Sequence, residues 1–337
     1  MGWKFTPAVS DFSRLRSEWD RINSSLAHHV LLDSDFVEPL IKCFGGPDVF
    51  VGINDDPSPA MVLVQQTSRG VWSSFQPSQA PLGMLLVGLD DDGEQLKGLL
   101  RSLPGFALQF SVMQQDPDYT AWPRSAANGG LELLDYIDTP RLTIASTFDD
   151  YWKQRSSNLR HNLSRQRRRL AETGRTMEFV MRCAASQVAC AVAEYGRLES
   201  LGWKSETGTA IAADNQQGRF YTEVLERFSA RHEAVIFQLR LDGIVVATDL
   251  CLIRNGMLVI LKTTYDETQK SLSPALLLRE DELRWIFGQG SISVVEFYGR
   301  TMDWHRKFTD EVRTMYHLNC YRNSWTPVVK KALRHLQ

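Results

Sequence analysis

The sequence lacks the features that mark membrane, secreted and metal-binding proteins. Its 337 residues contain no apolar run of about 18 residues that would predict a membrane-spanning helix. The first residues, MGWKFTPAVSDF, have no apolar stretch of the kind found in secretory signals. The five cysteines are scattered and form no C-x-x-C pair, which argues against a disulfide scaffold and a zinc site. We therefore expect a cytoplasmic protein with free thiols, no metal and no membrane span.

Charge is distributed unevenly along the chain. The net charge is −2, yet residues 1–140 carry 9 Lys and Arg against 18 Asp and Glu, and residues 141–337 carry 29 against 22. The length is sufficient for two domains, and we predict boundaries at residues 1–138 and 139–337. The basic second half would suit phosphorylated ligands such as coenzyme A or RNA. Two ordinary solvated surfaces would explain the same counts.

The first half alternates helical and strand patterns. Leu15, Trp19, Ile22 and Leu26 have helical spacing, and apolar runs at 49–54, 60–66 and 106–113 read as strands. Taken alone, this half predicts an α/β domain.

Three strands and a helix form the best-defined stretch of the second half. The apolar runs at 234–241, 244–253 and 257–265 are separated by Asp242-Gly243 and Asn255-Gly256. These dipeptides favour tight hairpin turns, so the pattern predicts an antiparallel meander. A polar stretch, DETQKSLS, then leads to Pro274 and a helical pattern over 275–287. Ser273 and Pro274 are typical of the N-cap and first position of a helix, whose free N–H groups favour anions.

This stretch resembles the GNAT acyltransferases, in which three antiparallel strands, a phosphate-binding loop, a helix and a further strand follow in order. The segment LKTTYDETQKSLSPALLL resembles the corresponding segment of the branch linked to cellulose and exopolysaccharide biosynthesis. This branch is distantly related to the Fem-type transferases. Ala275 stands where that branch usually has Gly. A second match, LESLGWKSETGTAI, begins at Leu198. A third follows the strand at 292–298, with Trp304-His305 in place of the usual Tyr-Lys.

The resemblance implies an α/β fold of tandem GNAT-like lobes, each a mixed, mainly antiparallel sheet flanked by helices. It implies transfer of an acyl group, acetyl in the first instance, from acyl-CoA to an amine, such as that of a sugar or polysaccharide precursor. The CoA-binding positions would be Lys270, Ser273, Pro274, Ala275, Leu276 and Leu277. Trp203, Lys204 and Lys262 would contact the acceptor.

Proton transfer needs further groups. Asp249 and Glu296 are acidic residues within otherwise apolar strands, where an unpartnered carboxylate is costly, so both are candidate bases. Structural carboxylates would give the same pattern. Tyr265 and His305 are candidates for protonating the leaving thiolate, and His305 could also act as a base near neutral pH.

Other functions remain open. The segment 147–174 reads as one helix with eight basic residues, which fits a solvated face as well as contact with phosphate or RNA. Fem-type relatives use aminoacyl-tRNA, so tRNA is a second possible partner, although a 60-residue helical insertion of the kind those enzymes carry is absent from the sequence. A non-catalytic binding protein on a GNAT scaffold is the third interpretation.

Overall fold

Two compact units make up the protein. The computed structural model describes residues 2–26, 28–55, 59–88, 93–120, 130–201, 211–212 and 214–323. One unit comprises Met1–Asp138 and the segment from Arg313 onward, and the other comprises Thr139–Val312. The sequence division places the segment after 312 in the second domain. In the structure this segment groups with the first unit because its strand, Val312–Tyr321, pairs with Gln109–Gln115.

The first unit is a mixed sheet with helices. Its elements are β1 (Lys4–Pro7), α1 (Ala8–Ser25), α2 (Ser34–Phe44), β2 (Val49–Asn54), β3 (Ala60–Ser68), β4 (Val71–Ser74), β5 (Leu85–Leu86), α3 (Glu94–Ser102) and β6 (Gln109–Gln115). The last strand of the chain, β13 (Val312–Tyr321), follows β6 in the order β1-β2-β3-β4-β6-β13. Only the β4–β6 pair of this path is parallel, which gives the mainly antiparallel sheet that the sequence predicts.

The second unit contains the meander and its helix. The elements are β7 (Leu131–Thr143, which begins in the first unit), α4 (Phe148–Gln154), α5 (Ser157–Glu172), β8 (Met177–Arg182), α6 (Ala185–Ser200), α7 (Gln216–Ser229), β9 (Ala234–Leu241), β10 (Ile244–Arg254), β11 (Met257–Tyr265), α8 (Pro274–Gln289) and β12 (Val294–Glu296); β13 is Val312–Tyr321. The strand order is β7-β12-β11-β10-β9-β8, with β11 and β12 parallel. The expected fold class, α/β with mixed sheets and flanking helices, is confirmed.

The hairpin turns follow the sequence prediction. Asp242 and Asn255 have φ values of 52° and 52°, and Gly243 and Gly256 have 79° and 78°. Two consecutive positive φ values define the type I′ turn that Asp-Gly and Asn-Gly favour. The register of β10 shifts on both sides, between Val245 and Ala247 against β9 and between Leu250 and Cys251 against β11.

The structure departs from the local sequence patterns at three places. The strand β7 continues through Thr139-Pro140, although proline often marks a turn, because the residue before a proline prefers an extended backbone. The basic segment forms two helices rather than one, since Arg155 is extended and the Ser156 hydroxyl caps the Leu159 N–H of a new helix. The edge strand β8 was not predicted. None of the described helices is both long and apolar enough to cross a membrane.

Candidate active site

A pocket of about 530 Å³ opens at the N-terminus of α8. The helix is packed against β9 and β10 by Leu277, Leu278, Leu283 and Ile286, which belong to the buried core of this unit. The pocket is lined by the end of α6 (Leu198, Glu199), the end of β11 (Thr263, Thr264, Tyr265), the turn and first residues of α8 (Glu267, Lys270, Ser273, Pro274, Ala275, Leu276, Arg279), and the 302–307 segment (Met302, Trp304, Lys307). We call it the α8 pocket.

Most of the predicted CoA-binding positions meet at this pocket. Lys270, Ser273, Pro274, Ala275 and Leu276 all line it, together with the predicted catalytic residue Tyr265. Leu277 does not, because its side chain is fully buried in the core.

The start of α8 differs from the expected N-cap. Ser273 occupies the N-cap position, but it adopts a left-handed backbone with φ 55° and ψ 48°, and its side chain makes no capping hydrogen bond. Its carbonyl accepts bonds from the N–H groups of Leu276 (3.0 Å) and Leu277 (3.1 Å). The residues before it, Glu267–Leu272, form a 3₁₀ turn whose Ser271 carbonyl accepts a bond from Gln166 of α5. The first turn of α8 therefore faces the pocket, and the hydroxyl of Ser273 does not cap the helix.

Asp249 belongs to a buried cluster that lies behind the pocket wall. Its Oδ2 is 2.7 Å from Nη2 of Arg279, and Nη1 of Arg279 is 2.5 Å from Oε2 of Glu282. Cys251 donates its thiol to Glu282 at 3.7 Å. We call Asp249, Cys251, Arg279 and Glu282 the Arg279 cluster. Asp249 and Glu282 are 1% and 0% exposed, and only Arg279 of the four lines the pocket.

Burial and neighbouring charges shift the pKa values of two members of the Arg279 cluster. Burial raises the pKa of Glu282 well above its usual range, and the Asp249 carboxylate adds to this against the pull of Arg279. Burial opposes the charge of Arg279, but attraction by Asp249 and Glu282 keeps the Arg279 pKa raised. Burial thus favours the protonated form of Glu282 beside the Arg279 guanidinium. The guanidinium also lies 5.6 Å from the ring centroids of both Phe297 and Trp304.

Glu296, the other predicted strand carboxylate, is also outside the pocket lining. It is fully buried on β12, opposite Arg141 of β7, and its Oε1 is 3.9 Å from Nε of Arg141. The same Arg141 nitrogen is 3.9 Å from Glu311. Glu296 therefore lies beside Arg141 where β7 and β12 pair.

His305 is held in its neutral form. Its ring stacks on Trp304 with centroids 3.6 Å apart, and its Nδ1 accepts the Met302 N–H at 3.0 Å. Burial, and after it the charge of Arg279, lowers the His305 pKa to about 4. An imidazole that accepts a bond at Nδ1 carries its proton on Nε2. His305 therefore does not titrate near neutral pH as the sequence interpretation supposed.

The predicted acceptor residues are less informative. Lys262 lies with its Nζ 5.7 Å from the ring centroid of Tyr221, and it is not among the lining residues. Trp203 and Lys204 fall outside the described residues.

One residue of the pocket lining, Glu199, lies in the motif LESLGWKSETGTAI, and the sequence interpretation assigned it no chemical role. Glu199 is 3% exposed and contributes a buried carboxylate to the pocket. Tyr195, one helical turn earlier, donates its hydroxyl to Glu199 at 3.1 Å. The spacing of four residues between them in α6 was the available signal, since such pairs share a helix face.

Comparison with known proteins identifies the type of domain. Residues 157–306 match the family described as Acetyltransferase (GNAT) domain. No curated protein matches the chain in sequence. The matched part of the chain thus resembles a GNAT-type acetyltransferase domain, and it contains all the residues that line the α8 pocket except Lys307.

Solved structures of low sequence identity share the fold over nearly the whole chain. FemX has 11% identity and a TM-score of 0.59, with 94% of this chain and 97% of that chain covered. The C-terminal domain of a protein described as a lysylphosphatidylglycerol synthetase, from Agrobacterium fabrum, has 14% identity, coverages of 93% and 95%, and a TM-score of 0.58. L-PGS from Bacillus licheniformis has 13% identity, coverages of 95% and 96%, and a TM-score of 0.53.

Proposed function

We propose that the second unit transfers an acyl group, acetyl in the first instance, from acyl-CoA to an amine, with the α8 pocket as the reaction site. The observation that carries this proposal is the position of the pocket: it lies at the N-terminus of α8, within the part of the chain that matches the GNAT acetyltransferase domain. A helix N-terminus and nearby cations provide the electrostatics that a phosphorylated donor requires.

The cationic side of the pocket fits the donor phosphates. Lys270 and Lys307 are exposed lining residues, and Ala275 adds only a methyl group at the second position of the helix. The flexible ammonium groups can reach phosphate as point charges. We assign the phosphates of CoA to this side.

The end of β11 fits the acyl-bearing arm. β11 pairs with β12 only through Met257–Val259, and Ile260–Tyr265 continue beyond that pairing to the pocket. Backbone groups on such an unpaired strand edge can bind an extended amide chain. The thioester would then lie near Thr263–Tyr265, between the cationic side and Glu199. The acceptor suggested by the sequence resemblance is an amino group of a sugar or polysaccharide precursor.

Aminoacyl-tRNA is a second candidate donor. It is favoured by the exposed basic residues of α5, His161, Arg165, Arg168 and Arg169, in a helix that contacts the turn before α8. Three other basic residues of the segment 147–174 bond to groups within the protein instead. Arg155 and Arg160 bond to backbone carbonyls, and Arg167 pairs with Glu280 and Asp281.

Thermal unfolding with acetyl-CoA, and separately with bulk aminoacylated tRNA, tests the proposal. A ligand at about 100 times its dissociation constant adds about 2.7 kcal/mol of stability, which raises the unfolding midpoint. We expect the shift with acetyl-CoA, and we expect it to shrink in a variant carrying both Lys270→Ala and Lys307→Ala. Lys153→Ala is the matched control, because Lys153 is exposed on α4 and pairs only loosely with Asp150 at 3.5 Å.

Three results would contradict the proposal in different ways. An unchanged acetyl-CoA-induced shift of the unfolding midpoint in the double variant would show that the phosphates do not bind at this side of the α8 pocket. A shift with aminoacylated tRNA alone would favour the second donor. No shift with either ligand would favour a non-catalytic binding protein.

A further inference from the structure

Glu199 combines burial with access to the pocket. It lies in the last turn of α6 and is 3% exposed, yet it is one of the residues that line the α8 pocket. The other lining carboxylate, Glu267, is exposed in the turn before α8. Among the described residues, Glu199 is therefore the buried carboxylate that a molecule in this pocket can reach.

Two hydrogen bonds fix the orientation of the Glu199 carboxylate. Tyr195 donates its hydroxyl to Oε1 at 3.1 Å, and the Ile211 N–H donates to Oε2 at 2.9 Å. The Tyr195 hydroxyl also lies 3.2 Å from the Thr263 carbonyl, which belongs to the pocket-lining end of β11. A carboxylate oxygen has capacity for more than one hydrogen bond, so the group can still accept from a ligand.

In the part of the chain that the structure describes, neutral phenols interact with Glu199, and several cationic side chains line the same pocket. Burial, followed by the Glu199 charge, raises the pKa values of Tyr195 and Tyr221, so both phenols stay neutral. Lys262 lies over the Tyr221 ring. Lys270 lines the pocket from the turn before α8, Arg279 from α8 and Lys307 from the 302–307 segment. Asp249 pairs with Arg279 behind the pocket wall.

We infer that Glu199 binds the ammonium group of the acceptor and receives its proton, and this inference rests on the proposed acyltransferase function. The neutral amine then forms the C–N bond with the thioester carbon as the C–S bond breaks. The acceptor nitrogen loses two protons overall. One passes through Glu199 to solvent, and the other ends on the sulfur of CoA.

The competing explanation is that Glu199 only holds Ile211 in place. Glu199→Gln separates the two, because a glutamine can accept the Ile211 N–H with its oxygen and donate to the Tyr195 hydroxyl with its nitrogen. A purely structural role predicts a near-normal enzyme. Glu194→Gln is the matched control on the same helix, since Glu194 bonds to Gln238 outside the pocket lining.

The kinetic test uses acetyl-CoA with glucosamine, lysine and spermidine as acceptors, and thiol release as the signal. For the best acceptor we expect Glu199→Gln to lower kcat/KM by about 100-fold or more near neutral pH, the usual contribution of a general base. The loss should shrink as the pH approaches the pKa of the acceptor amine, where the amine is already neutral. Glu194→Gln should behave as the wild type.

A binding test accompanies the kinetics. The acceptor should raise the unfolding midpoint of the CoA-bound wild type but not of CoA-bound Glu199→Gln, while the shift caused by CoA itself is the same in both. Equal turnover and equal acceptor binding in the variant would overturn the role of Glu199 while leaving the acyltransferase function intact. A wild type that binds no acetyl-CoA, or acetylates none of the acceptors, would overturn the proposed function and this inference with it.

Discussion

Two regions of the second unit bury carboxylates in different ways. In the Arg279 cluster, Asp249 and Glu282 contact one guanidinium inside the core, and burial raises the pKa of Glu282. In the α8 pocket, Glu199 is buried nearly as deeply but is held by a hydroxyl and a backbone N–H at a surface that a ligand can reach. Burial alone therefore does not distinguish a structural carboxylate from a reactive one. Access to a pocket, together with the type of partner, makes the distinction.

Removing the cation of the first region should have the largest effect. Arg279→Leu leaves Asp249 buried without its ion-pair partner, and breaking a buried pair in this way costs about 3–5 kcal/mol. Denaturant unfolding measures the change. Arg284→Gln is the matched control on α8, because Arg284 is 54% exposed and forms a surface pair worth less than about 1 kcal/mol. Equal losses in the two variants would show that the cluster is not a buried ion pair.

The raised pKa of Glu282 predicts an intermediate, pH-dependent effect on stability. Its folded pKa is raised above the ordinary value of 4.5, so wild-type stability falls as the pH rises from about 4.5 toward the folded pKa. Glu282→Gln is always neutral and lacks this fall. Its stability relative to the wild type should therefore increase over that window, by about 1.36 kcal/mol for each unit of pKa difference.

Unfolding curves at a series of pH values check this prediction. A constant stability difference between wild type and Glu282→Gln would mean that Glu282 is ionised in the folded protein.

Tyr195→Phe should have the smallest effect, since it removes one hydrogen bond to Glu199 and leaves the carboxylate in place. A hydrogen bond of this kind contributes about 1 kcal/mol, so kcat/KM should fall by a factor of about ten or less. In a double-mutant cycle with Glu199→Gln, the two losses should not add, because Tyr195 acts through Glu199. Additive losses would assign Tyr195 a role of its own.

Local structure was largely predictable from the sequence. Asp242-Gly243 and Asn255-Gly256 define their turns through backbone preferences, so the meander could be placed closely. The helix after Pro274 was also expected. The break at Arg155 was missed because the apolar spacing continues across it, and the Ser156 cap becomes evident only once Arg155 is seen to be extended.

The site was predictable only in part. The residues around the start of α8 are contiguous in sequence, so Lys270 and Ser273–Leu276 could be proposed together. The distinction between Asp249 and Glu199 depends on partners far along the chain. Arg279 pairs with Asp249 of β10, and the Ile211 N–H donates to Glu199. Local residue spacing predicts neither contact.

Calorimetric titration of acetyl-CoA into the wild type and into Ala275→Trp tests whether the α8 pocket binds the acyl donor. Ala275 lines the α8 pocket, so an indole at this position would occupy the space beside the helix N-terminus. We expect one acetyl-CoA site per chain in the wild type, abolished by Ala275→Trp and retained in Glu199→Gln. Undiminished binding by a folded Ala275→Trp would contradict this expectation.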